Sequence, residues 1–149
     1  MALKIIDHNS PEYHSMVELR RHVLRRPLGI DFENGELERE HEDILLGCFD
    51  DERLEGCCLL TKAGADGELR LRQMAVISGL QGKGIGKVLM RFAENIARDK
   101  GYKKIVMHAR DNAVGFYEKL GYVKEGESFD ELGIQHLKMY KSLANKYIL

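Results

Sequence analysis

Residues 74–101 read MAVISGLQGKGIGKVLMRFAENIARDKG: an apolar strand, a glycine-rich turn and a long amphipathic helix in immediate succession. The turn, Gln81-Gly82-Lys83-Gly84-Ile85-Gly86, sets three glycines just before the helical pattern. Glycine allows a tight turn and lets a ligand approach the backbone amides without meeting a Cβ. The first turn of a helix has unpaired N–H groups and the positive end of the macrodipole, so it is suited to phosphate. The helix carries Ile85, Val88, Leu89, Phe92, Ala93, Ile96 and Ala97 on one stripe. Lys87, Arg91, Glu94, Asn95 and Arg98 fall on the other, polar face, and Gly101 is placed as the terminating glycine.

Working outward toward the N-terminus, residues 3–7 (LKIID) form a short strand candidate. Asn9, Ser10 and Pro11 supply a cap and a proline for the first helical position. Tyr13, Met16, Val17, Arg20, Val23 and Leu24 recur at helical spacing to about Arg26, and Pro27 and Gly29 stop that helix. The apolar members are expected to face the core. Arg20, Arg21, Arg25 and Arg26 are expected on a solvated face, unless one or two reach an acidic or phosphate-bearing ligand.

The segment 29–43 carries seven acidic residues, Asp31, Glu33, Glu36, Glu38, Glu40, Glu42 and Asp43. It reads as a loop or a short second helix, and as either a solvated face or a negative rim that attracts a cationic substrate. Two apolar runs, 44–49 and 54–60, flank Asp50-Asp51-Glu52-Arg53, the composition of a hairpin turn. In 69–76, Leu69, Leu71 and Gln73 share one strand face and Arg70, Arg72 and Met74 the other. Beyond the long helix come a strand at 103–108, a short helix at 113–120 stopped by Gly121, and strands at 122–125 and 133–140. The order βα, three strands, α, β, α, β, β shows no repeat or linker and predicts a single domain over 1–149.

Length and composition bound the rest. A chain of 149 residues buries about two-thirds of its unfolded surface. Its 44% apolar and 32% charged content is that of a folded globular protein. A net charge of −1 argues against a nucleic-acid binder. No apolar run is long enough to span a bilayer, and the first residues lack a signal peptide's apolar core. Cys48, Cys57 and Cys58 lack metal-ligand spacing, and neighbours in a strand point to opposite faces, which argues against a disulfide between Cys57 and Cys58. Reduced buried thiols in a cytoplasmic protein are expected.

Two nucleotide-binding motifs fail at the glycine turn. A Walker A loop ending at Gly86-Lys87 would need glycine at 81 and Ser or Thr at 88, where the chain has Gln81 and Val88. The G-x-G-x-x-G fingerprint fails because Gly82-x-Gly84 is followed by Lys87 at the last place. What the turn matches is Gln-x-x-Gly-x-Gly. Here the sequence resembles the GCN5-related N-acetyltransferase (GNAT) superfamily, whose motif A is a strand, Arg/Gln-x-x-Gly-x-Gly/Ala and a helix. Asn112-Ala113-Val114-Gly115-Phe116-Tyr117-Glu118-Lys119-Leu120-Gly121-Tyr122 is similar to the family's motif B. Glu131-Leu132-Gly133-Ile134-Gln135-His136-Leu137-Lys138-Met139 is similar to the Gly-Ile-x-His-x-x-Met ending of its ElaA/YjcF-like branch. That branch's Val-Phe-x-x-Glu-Gln run is replaced here by Val23-Leu24-Arg25-Arg26-Pro27-Leu28.

The resemblance implies an α/β GNAT fold with a central, mixed but mostly antiparallel sheet of six or seven strands flanked by helices. It implies acetyl transfer from acetyl-CoA, as cosubstrate and without a metal, to a primary amine, more readily a small molecule than a protein. It is compatible with a homodimer. Gln81, Gly82, Lys83, Gly84, Ile85, Gly86 and Lys87 would wrap the CoA pyrophosphate. Met74 and Val76 would pair their backbones with the pantetheine arm where two strands splay, their side chains being plain core. An N–H near Val76 would polarise the thioester carbonyl. Asn112 would hydrogen-bond the pantetheine or else cap the following helix. Lys119 falls in the same motif and joins the CoA-binding set.

Tyr117 matches the family's general acid, or is a packed aromatic; a phenol stays protonated at rest and can protonate a departing thiolate. Phe116 is expected to be packing. The attacking amine must lose a proton, for which His136, His108, Glu68 or a water chain are the candidates. A catalytically silent acyl-CoA-binding module and a protein-amine acetyltransferase are the rival readings.

Overall fold

Among the described residues, seven strands make up the sheet: β1 (Ala2–Ile6), β2 (Ile44–Asp50), β3 (Arg53–Lys62), β4 (Glu68–Val76), β5 (Lys104–Arg110), β6 (Val123–Glu131) and β7 (Ile134–Ser142). They lie in the order β1-β2-β3-β4-β5-β7-β6. The β1–β2, β2–β3, β5–β7 and β6–β7 pairs are antiparallel and β4–β5 is parallel, so the sheet is mixed and mostly antiparallel. Among the described residues, four α-helices accompany it: α1 (Pro11–Arg20), α2 (Glu36–Arg39), α3 (Ile85–Asp99) and α4 (Val114–Lys119). The computed structural model describes residues 1–143. The chain forms two compact units: Met1–Thr61 with Arg72–Ala93, and Lys62–Leu71 with the chain from Glu94 onward.

In the first unit, the Ser10 hydroxyl accepts the Tyr13 N–H at 3.1 Å and Pro11 opens α1. After Arg20 the helix loosens into a π turn (Arg21–Arg25) and a 3-10 turn (Arg26–Leu28), then ends at Gly29 in the left-handed region. Tyr13, Met16 and Val17 join Ile6, Leu45, Phe49, Leu54, Cys57, Leu59 and Ala75 in the core. Burying such side chains is the main favourable term for this unit, at about 1.5–3 kcal/mol each.

Arg20, Arg21 and Arg25 depart from the expected solvated face, and Arg26 keeps it. Arg20 is fully buried. Its guanidinium grips both Glu40 oxygens, at 2.9 and 2.5 Å, and the Tyr13 hydroxyl donates to the same carboxylate at 2.6 Å. Arg25 pairs with Glu36 at 2.7 Å and Arg21 with Asp31 at 2.9 Å. The acidic segment forms the short α2 and a 3-10 turn (Glu40–Glu42); Glu36 and Glu40 turn inward as ion-pair partners of Arg25 and Arg20, whereas Asp31, Glu33, Glu38 and Glu42 are exposed. The expected solvated face is thus kept by the four exposed carboxylates and not by Glu36 and Glu40.

In the second unit, α3 finishes in a Schellman closure. Gly101 N–H donates to Arg98 and Tyr102 N–H to Ala97, both at 2.9 Å, with Gly101 at φ +87°. Glu94 departs from its expected place on the polar face, being only 1% exposed. It accepts the Tyr122 hydroxyl at 2.9 Å and the Lys141 ammonium at 3.1 Å. Lys141 also donates to the Leu120 carbonyl at 2.8 Å, tying β7 to the end of α4. The β6–β7 hairpin turns through Leu132 and Gly133, both at positive φ, between the paired Glu131 and Ile134. All three cysteines are free and buried.

Candidate active site

In the first unit, β4 departs from regular strand geometry at Gln73, a non-glycine residue at φ +56°. Leu69 and Leu71 before it and Ala75 after it are buried, whereas Met74 and Val76 are half-buried instead of plain core. The β4–β5 pairing stops at Leu71 and Met107, while β4 runs on to Val76. Beyond the strand, Ile77 N–H donates to the Glu55 carbonyl at 2.9 Å, and the Gln81 side-chain amide donates to the Val76 carbonyl at 3.2 Å. The glycine loop is thereby tied back to the strand that precedes it.

Gly79, Gly82 and Gly84 hold φ of +91°, +80° and +91°. A Cβ built on any of them would meet nothing within 4 Å. Packing therefore does not demand glycine here; the left-handed backbone and an open approach to the amides do. The helix starts at Ile85, so Gly86 and Lys87 lie in its first turn and only 79–84 form the loop itself. Val88 N–H reaches Gly84 O at 3.1 Å, which leaves the N–H groups of the first turn without an intrahelical acceptor. Ile85 is buried, and Gln81, Gly82, Lys83, Gly84 and Lys87 are exposed. Gly56 on β3 explains how the helix seats: a Cβ there would lie 2.7 Å from Ile85 and 3.0 Å from Leu89.

In the second unit, Asn112 lies in a 3-10 turn (Asp111–Ala113) and is exposed; the cap position of α4 is Ala113, with no side-chain capping bond. The capping alternative for Asn112 is not realised. Tyr117 is buried at 6% exposure, its ring edge-on to Phe116 at 5.0 Å and to Tyr122 at 5.9 Å. Phe116 itself is 38% exposed, contrary to the expected packing role. Lys119 is exposed at the last position of α4.

The histidine candidates separate on geometry. His136 is 6% exposed; its Nδ1–H donates to the Ile134 carbonyl at 2.8 Å, which leaves the Nε2 lone pair free for a proton. That Nε2 faces the Glu131 carboxylate at 3.5 Å, so a proton gained there lies beside an anion. His108 differs: its Nδ1 lies 2.9 Å from an Arg70 N–H and 3.1 Å from the other Glu131 oxygen. An arginine only donates, so the Nδ1 lone pair of neutral His108 is already engaged. Phe129 lies against both rings, 5.0 Å from His108 and 6.0 Å from His136. Glu68 is drawn toward Lys104 at 3.9 Å.

Glu131, between the two imidazoles, is a member of this cluster to which the sequence reading gave no role. The hairpin register could have found it, because Phe129 pairs with His136 and Glu131 sits two residues farther along the same strand. Among the described residues, no group of three His, Cys, Asp or Glu side chains is arranged to hold a metal ion.

Comparison with known proteins agrees with this architecture. The family model for the acetyltransferase (GNAT) domain matches residues 32–143. The chain is 33% identical over 135 residues to the uncharacterised N-acetyltransferase YitI of Bacillus subtilis, covering 85% of this chain and 89% of the relative. It is 34% identical over 107 residues to YjcF of the same organism, covering 71% and 74%. An aminoglycoside 6′-N-acetyltransferase crystallised with coenzyme A superposes with a TM-score of 0.81 at 18% identity, over 97% of this chain and 98% of that one. Escherichia coli ElaA superposes with a TM-score of 0.80 at 17% identity, over 94% and 98%. On the family match and these relatives, the chain belongs to the GNAT family of acetyltransferases.

Proposed function

We propose that this protein transfers the acetyl group of acetyl-CoA to a small primary amine by direct attack, with Tyr117 as general acid and His136 as the base. The observation that carries the donor half is the loop at 79–84. Three left-handed glycines open toward solvent and lead straight into a helix N-terminus, which is the construction that takes up a pyrophosphate. Lys83 and Lys87, exposed on the same stretch, add positive charge to it. Met74 and Val76 supply extended backbone for the pantetheine arm, and Asn112 and Lys119 are further contacts to CoA in this reading.

The chemistry assigned to the residues balances simply. A neutral amine forms a C–N bond to the thioester carbon as the C–S bond breaks. The phenol proton of Tyr117 goes to the departing sulfur, and the proton shed by the amine goes to Nε2 of His136, beside Glu131. A backbone N–H near Val76 assists by polarising the carbonyl oxygen.

The test is thiol release from acetyl-CoA over a panel of small primary amines, free peptide N-termini and lysine peptides, with product masses measured. Acetylated small amines support the proposal. Turnover confined to peptides would identify a protein-amine acetyltransferase. CoA binding without turnover on any amine would identify a silent acyl-CoA-binding module.

A further inference from the structure

We propose that Arg20 is a positioning residue for the acyl-CoA-binding end of β4, acting through the left-handed Gln73. This rests on the reading above that Met74 and Val76 meet the cosubstrate.

Arg20 spends its donors in two directions. The outer nitrogens hold Glu40 fork to fork, at 2.9 and 2.5 Å, and Tyr13 fixes that carboxylate from the other side at 2.6 Å. Arg20, Glu40 and Tyr13 are all under 4% exposed, so the guanidinium has a defined position and orientation. A third donor, Nε–H, points at the Gln73 side-chain oxygen at 2.9 Å. The amide nitrogen of Gln73 is buried and finds no partner among the described residues, which leaves the Arg20 bond as the anchor of that side chain.

Gln73 is where β4 departs from regular strand geometry, at φ +56°. A non-glycine residue holds a left-handed backbone inside a strand only where its surroundings over-determine it, and such residues cluster at functional sites. The three residues that follow are fixed at both ends. Gln73 is anchored by Arg20, and past Val76 the chain is held by Ile77 N–H on Glu55 and by Gln81 on the Val76 carbonyl. Without the Arg20 bond, the first of these restraints is gone and the direction in which Met74, Ala75 and Val76 present their backbone groups is no longer set. An ion pair that served stability alone would need Glu40 but not the bond to the strand.

Lysine at position 20 keeps a charge for Glu40 but has no Nε–H to aim at Gln73, and glycine at position 73 adopts positive φ without help. Arg20→Lys is expected to lower kcat/KM for acetyl-CoA by roughly tenfold to a hundredfold, the scale of a misplaced contact. Gln73→Gly keeps the positive φ but loses the acceptor of the Arg20 bond, so it is expected to lower kcat/KM comparably, and Arg20→Lys added to it to cost little more, so the two changes are non-additive. CoA affinity by calorimetry and the urea midpoint are measured beside the rates. An equal penalty for Arg20→Lys in both backgrounds, or Arg20→Lys with wild-type rates and CoA affinity, overturns the proposal while leaving the functional reading intact. A wild-type protein that binds no CoA overturns both.

Discussion

The Gln81 side-chain amide donates to the carbonyl of Val76 at 3.2 Å, binding the glycine loop to the strand before it. Strand end and loop are thus one structural piece, with the loop's backbone amides held in a fixed direction from β4. Prearranged dipoles of this kind bind phosphate without first being reorganised.

That arrangement makes the glycines of the loop sensitive in a specific way. Gly84 sits at φ +91° with open space around its missing Cβ. Gly84→Val should fold but shift the backbone, at a strain of about 1–2 kcal/mol, and so weaken CoA binding by roughly tenfold. Calorimetric titration with CoA and with pantetheine, which lacks the pyrophosphate, checks this. The variant should differ from wild type on CoA only.

The two histidines should not be equivalent. His136→Gln is expected to lower kcat by ~10²-fold or more with KM for acetyl-CoA little changed, because the Nε2 lone pair is lost and no CoA contact is assigned to it. His108→Gln should cost far less, its Nδ1 being already engaged by Arg70. Steady-state kinetics of the two variants side by side decides the point.

Glu94 is a stability residue in this account. Glu94→Ala removes the acceptor of the Tyr122 hydroxyl and of the Lys141 ammonium, and leaves the first buried and the second half-buried. The expected cost is ~3–5 kcal/mol, as for breaking one side of a buried pair. Urea unfolding should show a lower midpoint with an unchanged slope.

The thiols set an alkaline limit. Burial pushes the Cys57 thiol up from 9.0 to about 12, the nearby Arg20 opposing this only partly, and Cys58 is raised as well. A raised folded value favours the native state below the unfolded pKa, and this contribution is lost as pH rises from about 9.0 to about 12. At the acid end Glu36 works in the opposite sense. Burial alone would raise it, but the Arg25 guanidinium holds it below the usual carboxylate value, so its contribution falls away as pH drops. Cysteine alkylation near neutral pH should therefore be negligible in the native protein and rapid in urea, and the urea midpoint should fall at both pH extremes.

Local patterns carried much of this architecture. The α3 stripe, the Ser10-Pro11 start of α1, the Gly101 closure and the glycine loop all depend on residues within a few positions of one another, and each was legible. Buried charge was not. Arg20 lies on the same stripe as Met16 and Val17, but its burial depends on Glu40, 20 residues away, and on Gln73, 53 away. Glu94 likewise waits for Tyr122 and Lys141, 28 and 47 residues on. Glu131 became a member of the histidine cluster only through the β6–β7 register and Arg70 of β4. Charges such as these read as solvated in a linear pattern, because nothing nearby in sequence announces the partner.

The central claim is general-acid acetyl transfer from acetyl-CoA, and Tyr117→Phe tests it most directly. The ring packing on Phe116 and Tyr122 survives that change, and only the hydroxyl is lost. With the best amine of the panel in excess, amine-dependent thiol release from acetyl-CoA should fall by ~10²-fold or more, while CoA binds the variant as it binds wild type. Equal rates for Tyr117→Phe and wild type, or no amine-dependent release from wild type at all, would contradict the account.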